Sequence, residues 1–264
     1  MMREGYLNEP YLEVKMNKTN ERNRKLVIAA MLGAITVVLS LTPLGLIPLG
    51  VINATTMHIP VIIGAIAEGP LVGAMVGLIF GVSSLLNAIL RNASPVAFVF
   101  YNPLISVVPR VLIGITSYYS YTAMKKLEDK NLRTLTKILW GLVSLFLAFL
   151  LYKNITNGGS TLNITFVVIL LILCLGFLVY SFKSSEKDFP IAIGAFVGSM
   201  TNTILVLGGI YVIYAKRYVE ALNIPMESAK SAILGVSVTS GIPEAILSVI
   251  ITTAVIKALK ARKG

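Results

Sequence analysis

Apolar runs close to twenty residues long recur through most of this chain of 264 residues. An α-helix needs about twenty apolar residues to cross the hydrocarbon core of a bilayer. Only 13% of the residues are charged, whereas a soluble domain carries about 25%. The runs are continuous and do not alternate, which disfavours a membrane β-barrel. The pattern therefore predicts an all-α integral membrane protein.

Eight transmembrane helices account for the apolar runs, at residues 26–44, 55–68, 70–89, 96–124, 134–152, 162–182, 190–214 and 231–257. The net charge is +11, and most of the basic residues fall at the N-terminus, between spans on one side, and at the C-terminus. Because Lys and Arg accumulate on the cytoplasmic side of membrane proteins, both termini are predicted to be cytoplasmic. This distribution explains the positive charge without nucleic acid as a partner, and it is consistent with a multi-pass membrane protein.

The same reading divides the chain into four parts. Residues 1–25 form a polar cytoplasmic extension, and the run that begins at Leu26 has no small-residue cleavage site, so it is expected to be a retained span. Residues 26–124 hold the first four spans, with an outer loop at 45–54. Residues 125–189 hold an apolar hairpin, 134–182, between cytoplasmic linkers. Residues 190–264 hold the last two spans and a basic tail.

The stretch from residue 42 to residue 110 is almost wholly apolar but is broken by prolines, glycines and isolated polar residues. Gly69, Gly73, Gly77 and Gly81 recur every fourth residue, which predicts a flat helix face that another helix can approach closely. The span at 55–68 is short, so irregular backbone is expected to complete the crossing. Such backbone is tolerated in a membrane only where protein or a water-filled cavity surrounds it. The stretch therefore predicts a small-molecule site near the outer face.

The candidate site residues are the polar groups that fall in or near the spans: Asn53, Thr55, Thr56, His58, Asn87, Arg91, Asn102, Arg110, Asn202 and Glu244. Four asparagines near one leaflet favour a hydrogen-bonding pocket. Arg110 and Glu244 lie at similar predicted depth, and they are expected either to form a structural ion pair or to contact a solute.

Arg91 either reaches lipid headgroups or meets an anionic solute. His58 is either a structural group or a pocket group.

The chemistry of an enzyme is missing from the sequence. There is no Walker loop, and one histidine with few acidic residues cannot supply a metal-dependent hydrolase. Cys174, the single cysteine, offers no disulfide and no cysteine metal site. No catalytic residue, metal or cofactor is therefore predicted.

Six segments resemble, in order, the membrane-embedded substrate-binding component of energy-coupling factor (ECF) vitamin transporters. They are Ala30-x-x-x-Ala34, PLGVINATTMHIPVIIGAI, EGP with LVGAMVGLIFGVSSL, FYNPLISVVPRVLIGI, GSMTNTILVLGGIYV and GIPEAILSVIIT. The pieces NPLISVVPR and TNTILVLGG look most similar to pantothenate-type members. The resemblance covers residues 26–124 and 190–257.

This resemblance implies six core helices and an outward-facing vitamin pocket capped by the first outer loop. It also implies partnership with a transmembrane coupling protein and two ABC ATPases, on which members are proposed to topple in the membrane. Ala30 and Ala34, which alone could serve ordinary helix packing, would then contact the coupling protein. The sequence departs from the family in its N-terminal extension and in the hairpin 134–182, which would have to stay clear of that contact.

The sequence thus predicts a subunit that captures a vitamin, most consistently pantothenate, for an ATP-driven importer. Three other readings stay open: a component for another solute, a secondary carrier that works alone, and an assembly protein without a ligand.

Overall fold

A computed structural model describes residues 9–42, 45–48, 53–91, 95–158, 161–183, 188–236 and 240–261. Its α-helices are α1 (Glu9–Leu41), α2 (Ile59–Glu68), α3 (Pro70–Arg91), α4 (Pro103–Ser106), α5 (Val108–Met124), α6 (Asp129–Thr156), α7 (Thr161–Lys183), α8 (Phe189–Ala221), α9 (Ala229–Val236) and α10 (Ile242–Ala261). Short 3-10 helices lie at Ala97–Tyr101 and Met226–Ser228. Strands β1 (Leu46–Pro48) and β2 (Asn53–Thr55) pair antiparallel, with Leu46 opposite Thr55.

Among the described residues, five helices are long and apolar enough to cross a membrane: Asn20–Leu41, Pro70–Arg91, Lys130–Thr156, Phe189–Ala221 and Ile242–Ala261. Shorter apolar helical stretches lie at Ile59–Glu68 and Val167–Phe182. The prediction of an α-helical, multi-pass membrane protein is confirmed.

The centre of the bundle is α5, which packs on α8 on one side and on α3 on the other. The contact between α3 and α5 is formed by the glycine face that the sequence predicts on α3. A Cβ at Gly81 would lie 2.6 Å from the Cα of Val107, and one at Gly73 would lie 2.9 Å from the Cα of Gly114. Gly69 is different, because it ends α2 with a φ of 107° and is not part of the helix face. Close backbone contact fixes α5 against α3.

Two ion pairs mark one end of the bundle, which we call the charged end. Arg24 of α1 pairs with Glu68 at the end of α2, at 2.8 Å between Nη2 and Oε2. Lys257 of α10 pairs with Asp188 before α8, at 3.1 Å. Helices α2 and α10 therefore run parallel toward the charged end, and α8 starts from it.

Several predicted helices have different bounds. The span expected at 55–68 becomes β2, a turn and α2, because Pro60 near the start of α2 favours helix initiation there. The span expected at 96–124 is divided into the first 3-10 helix, α4 and α5. Pro103 and Pro109 begin the last two segments, because proline cannot donate the backbone hydrogen bond that a continuous helix needs.

The last predicted span, 231–257, is also divided, into α9 and α10, with Pro243 in the first turn of α10. The span predicted at 190–214 continues to residue 221. No break separates the predicted extension 1–25 from the first span, because α1 is continuous from Glu9. The outer loop predicted at 45–54 contains the β1–β2 ribbon.

The predicted hairpin 134–182 consists of α6 and α7, which pack on each other and on α8 and α10. Trp140 of α6 is fully buried. Its ring lies 4.7 Å from that of Phe177, between centroids. The hairpin is thus joined to the bundle on the side of α8 and α10, whereas α1 packs on α2 and α3.

The contact between α3 and α5 gives a testable prediction. A Cβ at Gly77 would overlap the carbonyl oxygen of Arg110, so Gly77→Ala should destabilise the fold by about 1 to 3 kcal/mol. Thermal unfolding of the purified protein in detergent measures the change. Gly208→Ala is the matched control, because no atom lies within 4 Å of a Cβ there. Equal unfolding temperatures for the two variants would contradict the close packing.

Candidate functional site

A cavity of about 410 Å³ lies at the end of the bundle opposite the charged end, beside β2. Six helices, the β2 segment and the first 3-10 helix contribute to its wall, which is mostly apolar with a few polar groups. The lining residues are Ser40, Thr55, Met57, Phe80, Ser84, Asn87, Phe100, Arg110, Asn202, Thr203, Val206, Leu207, Val236, Ser240, Gly241 and Glu244. A concave, mostly apolar cavity with a few polar groups is typical of a small-molecule site.

Arg110 supplies the positive charge of the cavity. It lies at the start of α5, where Pro109 fixes the first turn, and only 5% of it is exposed. Its guanidinium carbon lies 5.4 Å from the ring centroid of Phe80 and 5.5 Å from that of Phe100. Nη1 donates to the carbonyl oxygen of Ile105, and Nε has no hydrogen-bond partner among the described residues. The side chain is therefore held in place while part of its donor capacity stays unused.

Glu244 supplies the negative charge and connects α10 to the β1–β2 ribbon. Its Oε1 accepts the backbone N–H of Thr55 at 3.1 Å, and 8% of the residue is exposed. Thr55 ends β2, so this bond fixes the ribbon over one side of the cavity. Charge-assisted hydrogen bonds of this kind are stronger than neutral ones.

The expected structural ion pair between Arg110 and Glu244 is wrong. No nitrogen of Arg110 lies within 4.0 Å of a carboxylate oxygen in the part of the chain that the structure describes. The physical reason is that each group has another partner: aromatic rings and a carbonyl for Arg110, and a backbone N–H for Glu244. Both charged groups line the same cavity without contacting each other.

Two of the four predicted asparagines line the cavity. Asn87 of α3 donates through Nδ2 to Ser40 Oγ of α1 at 3.2 Å, and both residues face the cavity. Asn202 of α8 also lines it, and its Oδ1 is buried without a hydrogen-bond partner. The two amides therefore lie on different walls and offer both donor and acceptor groups to a bound molecule.

The other predicted site residues do not line the cavity. Asn102 caps α4, since its Oδ1 accepts the N–H of Leu104 at 3.0 Å. Arg91 is exposed at the end of α3, with Nη1 3.5 Å from the carbonyl oxygen of Leu41. Thr56 and His58 are buried outside the cavity wall. The side chain of Asn53 lies outside the described residues, which include only its place in β2.

The sequence analysis did not identify most of the residues that line the cavity. Ser84 lies three residues before Asn87 on the same face of α3, so helical spacing could have indicated it. Thr203 is adjacent to Asn202, and helical spacing gave no such signal for it. Ser240 and Gly241 directly precede Pro243, and the helix break that this proline predicts could have indicated both as residues of the wall. Phe80 and Phe100 carry no such signal, because aromatic residues in apolar spans are ordinary core residues. In the described residues, no three His, Cys, Asp or Glu side chains lie close enough to hold a metal.

Comparison with known proteins agrees with this architecture. A family model described as "ECF transporter, substrate-specific component" matches residues 24–153 and 134–256, which together span most of the chain. The chain belongs to this family. ECF substrate-specific components bind the solute for their transporters, so the chain is a substrate-binding component of a vitamin transporter.

Two curated members of the family are similar to it. One is the pantothenic acid transporter PanT of Lactococcus lactis subsp. cremoris, 28% identical over 229 residues, which cover 81% of each chain. The other is the pantothenate transporter PanT of Leuconostoc mesenteroides subsp. mesenteroides, 31% identical over 166 residues. That alignment covers 61% of this chain and 73% of the Leuconostoc protein. The resemblance to pantothenate-type members is confirmed.

The position of Asn102 predicts a structural role that can be measured. Asn102→Ala should lower the free energy of unfolding by about 1 kcal/mol, because the first N–H groups of α4 lose their cap. Asn102→Ser should retain most of the stability, because serine also caps helices. Chemical or thermal unfolding in detergent distinguishes the two. Identical stability for both variants would show that Asn102 is not a cap.

Proposed function

We propose that this chain captures pantothenate from outside the cell and delivers it inward when an ECF module supplies energy from ATP. The observation that carries the proposal is the buried guanidinium of Arg110 in the cavity wall, which has no carboxylate within 4.0 Å among the described residues. A charge inside a membrane bundle is costly unless another group compensates it. A carboxylate of the solute would supply that compensation, and a guanidinium can bind it through two hydrogen bonds.

The other residues of the cavity wall can contact the remaining groups of pantothenate. That molecule has an amide, two hydroxyls and a pair of methyl groups besides its carboxylate. Asn87, Asn202 and Thr203 offer hydrogen bonds to the amide and the hydroxyls, while Val206 and Leu207 offer an apolar surface to the methyl groups. The names of the two similar PanT proteins support the same solute. Another vitamin that bears a carboxylate is the alternative.

Arg110→Met tests the contact with the carboxylate. Loss of a hydrogen bond to a charged group costs about 1.5 to 3 kcal/mol, so the affinity for pantothenate should fall roughly 10- to 150-fold. Isothermal titration of the purified chain measures it. Methionine keeps the length and apolar stem of the side chain, so the wall stays filled.

Arg91→Met is the matched control, because Arg91 is exposed and outside the cavity. We expect its affinity for pantothenate to equal that of the unchanged protein. If instead Arg91→Met weakens binding and Arg110→Met does not, the carboxylate lies at the outer end of α3 and our assignment of the site is wrong.

The surface of α1 supports docking to a coupling protein. Ala30 and Ala34 are both exposed, and they share an exposed apolar face with Val27, Met31 and Val38. Small residues four apart allow another helix to approach closely. Because the hairpin α6–α7 packs at α8 and α10, it leaves this face of α1 open. We propose that the coupling protein of an ECF module binds here, with two ABC ATPases beneath it.

The charged end would then face the cytoplasm, with both termini there, as the distribution of basic residues favours. The chain would lie in the plasma membrane of a prokaryote, with the β1–β2 ribbon over an outward-facing cavity. In this arrangement α6 and α7 are an insertion in a core of six spans.

Ala34→Trp should abolish ATP-dependent uptake and leave pantothenate affinity unchanged, because the indole would hold the coupling protein away from α1. Uptake is measured in proteoliposomes that contain this chain and an ECF module. Leu145→Trp is the control, since Leu145 is exposed on the hairpin and should tolerate the change. Uptake by this chain in vesicles without the module would instead identify a secondary carrier.

A further inference from the structure

Four buried polar side chains beneath the cavity have no hydrogen-bond partner among the residues that the structure describes. They are His58, Ser117, Ser199 and Ser248, and each is at most 1% exposed. Both ring nitrogens of His58 are unpartnered. Leaving a buried polar group unsatisfied costs about 1 to 3 kcal/mol. Four such residues in one region therefore require an explanation, and none of them lines the cavity.

The connections between the helices bring these residues to neighbouring depths. Glu244 bonds to Thr55 beside the cavity, and a Cβ at Gly241 would lie 2.7 Å from Thr203, so α10 and α8 meet at the cavity. Ser248 follows Glu244 by four residues, and Ser199 precedes Thr203 by four. Because α8 and α10 are antiparallel, both serines lie about 6 Å from the cavity wall toward the charged end.

The other two residues join this layer from α5 and α2. The Ser117 hydroxyl abuts the Cα of Gly198, the neighbour of Ser199. Ile62 also contacts Gly198, and His58 lies one turn before Ile62, on the cavity side. The four side chains thus come from the start of α2 and from α5, α8 and α10, within about two helical turns of the cavity wall, and we call them the polar floor.

We propose that the polar floor binds ordered water molecules beneath the vitamin cavity. Soluble proteins hold about one buried water for every 27 residues, each bonded to polar groups that lack protein partners. Imidazole and hydroxyl groups from four helices can supply the two to four bonds that such a water needs. The waters bring solvation close to Arg110, whose Nε also lacks a partner among the described residues, and so help to stabilise its charge.

The sequence of the protein makes a direct test possible, because His58 is its one histidine. Protein labelled with ¹⁵N-histidine alone, in lipid bilayers without any vitamin, gives ring-nitrogen signals from this residue only. Solid-state NMR then measures magnetisation transfer from water protons to those nitrogens. We expect clear transfer in the unchanged protein and its loss in Ser248→Ala and Ser199→Ala, which remove water ligands.

Ser144→Ala is the control, because Ser144 is a buried hydroxyl in the hairpin that bonds to Cys174. It should leave the water transfer unchanged. No transfer to His58 in the unchanged protein would overturn the proposal, whatever the variants do. Transfer that both serine variants retain would overturn it as well, because the water would then belong to the cavity. The test uses no vitamin, so its outcome is independent of the proposed solute.

Discussion

A guanidinium in the interior of a membrane bundle must have groups that compensate its charge, and this requirement connects most of the features of the structure. Arg110 is held between Phe80 and Phe100 and donates to one backbone carbonyl, but it meets no carboxylate of the described chain. An ion pair with Glu244 would have neutralised Arg110 and left no cation in the cavity available to a solute. Because Glu244 bonds to Thr55 instead, we propose that a solute compensates the charge of Arg110 from one side and that water does so from the other.

Close packing keeps that charge in place. The glycine face of α3 allows α5 to approach at backbone distance, and the contact at Gly77 is with the peptide group of Arg110 itself. A rigid wall of this kind costs little reorganisation when a ligand binds, because the groups already point into the cavity. The Glu244–Thr55 bond connects the same wall to the β1–β2 ribbon. Glu244 therefore both lines the cavity and holds the ribbon in position.

The sequence allowed the fold class to be predicted, because continuous apolar runs and the distribution of basic residues follow directly from the physics of the bilayer. Gly73, Gly77 and Gly81 were correctly expected to form a contact face. The breaks at Pro103 and Pro243 were less predictable, since proline can either kink a helix or end it. The site was predicted in part: Thr55, Asn87, Arg110, Asn202 and Glu244 line the cavity.

The remaining errors have a common cause. Asn102 and Arg91 are polar residues near spans, like those that line the cavity, but one caps a helix and the other faces outward. Sequence spacing does not show on which side of a short, broken segment a polar group lies. Phe80 and Phe100 could not be recognised from the sequence. Only their position beside Arg110 distinguishes them from lipid-facing or core residues.

The most direct test of the central claim compares pantothenate with the corresponding alcohol, in which a hydroxyl replaces the carboxylate. Both are titrated into the purified chain and into Arg110→Met, and the four affinities form a cycle. We predict that the unchanged protein prefers the acid and that Arg110→Met loses this preference. Equal affinity for acid and alcohol in the unchanged protein, or an equal preference for the acid in both proteins, would contradict the account.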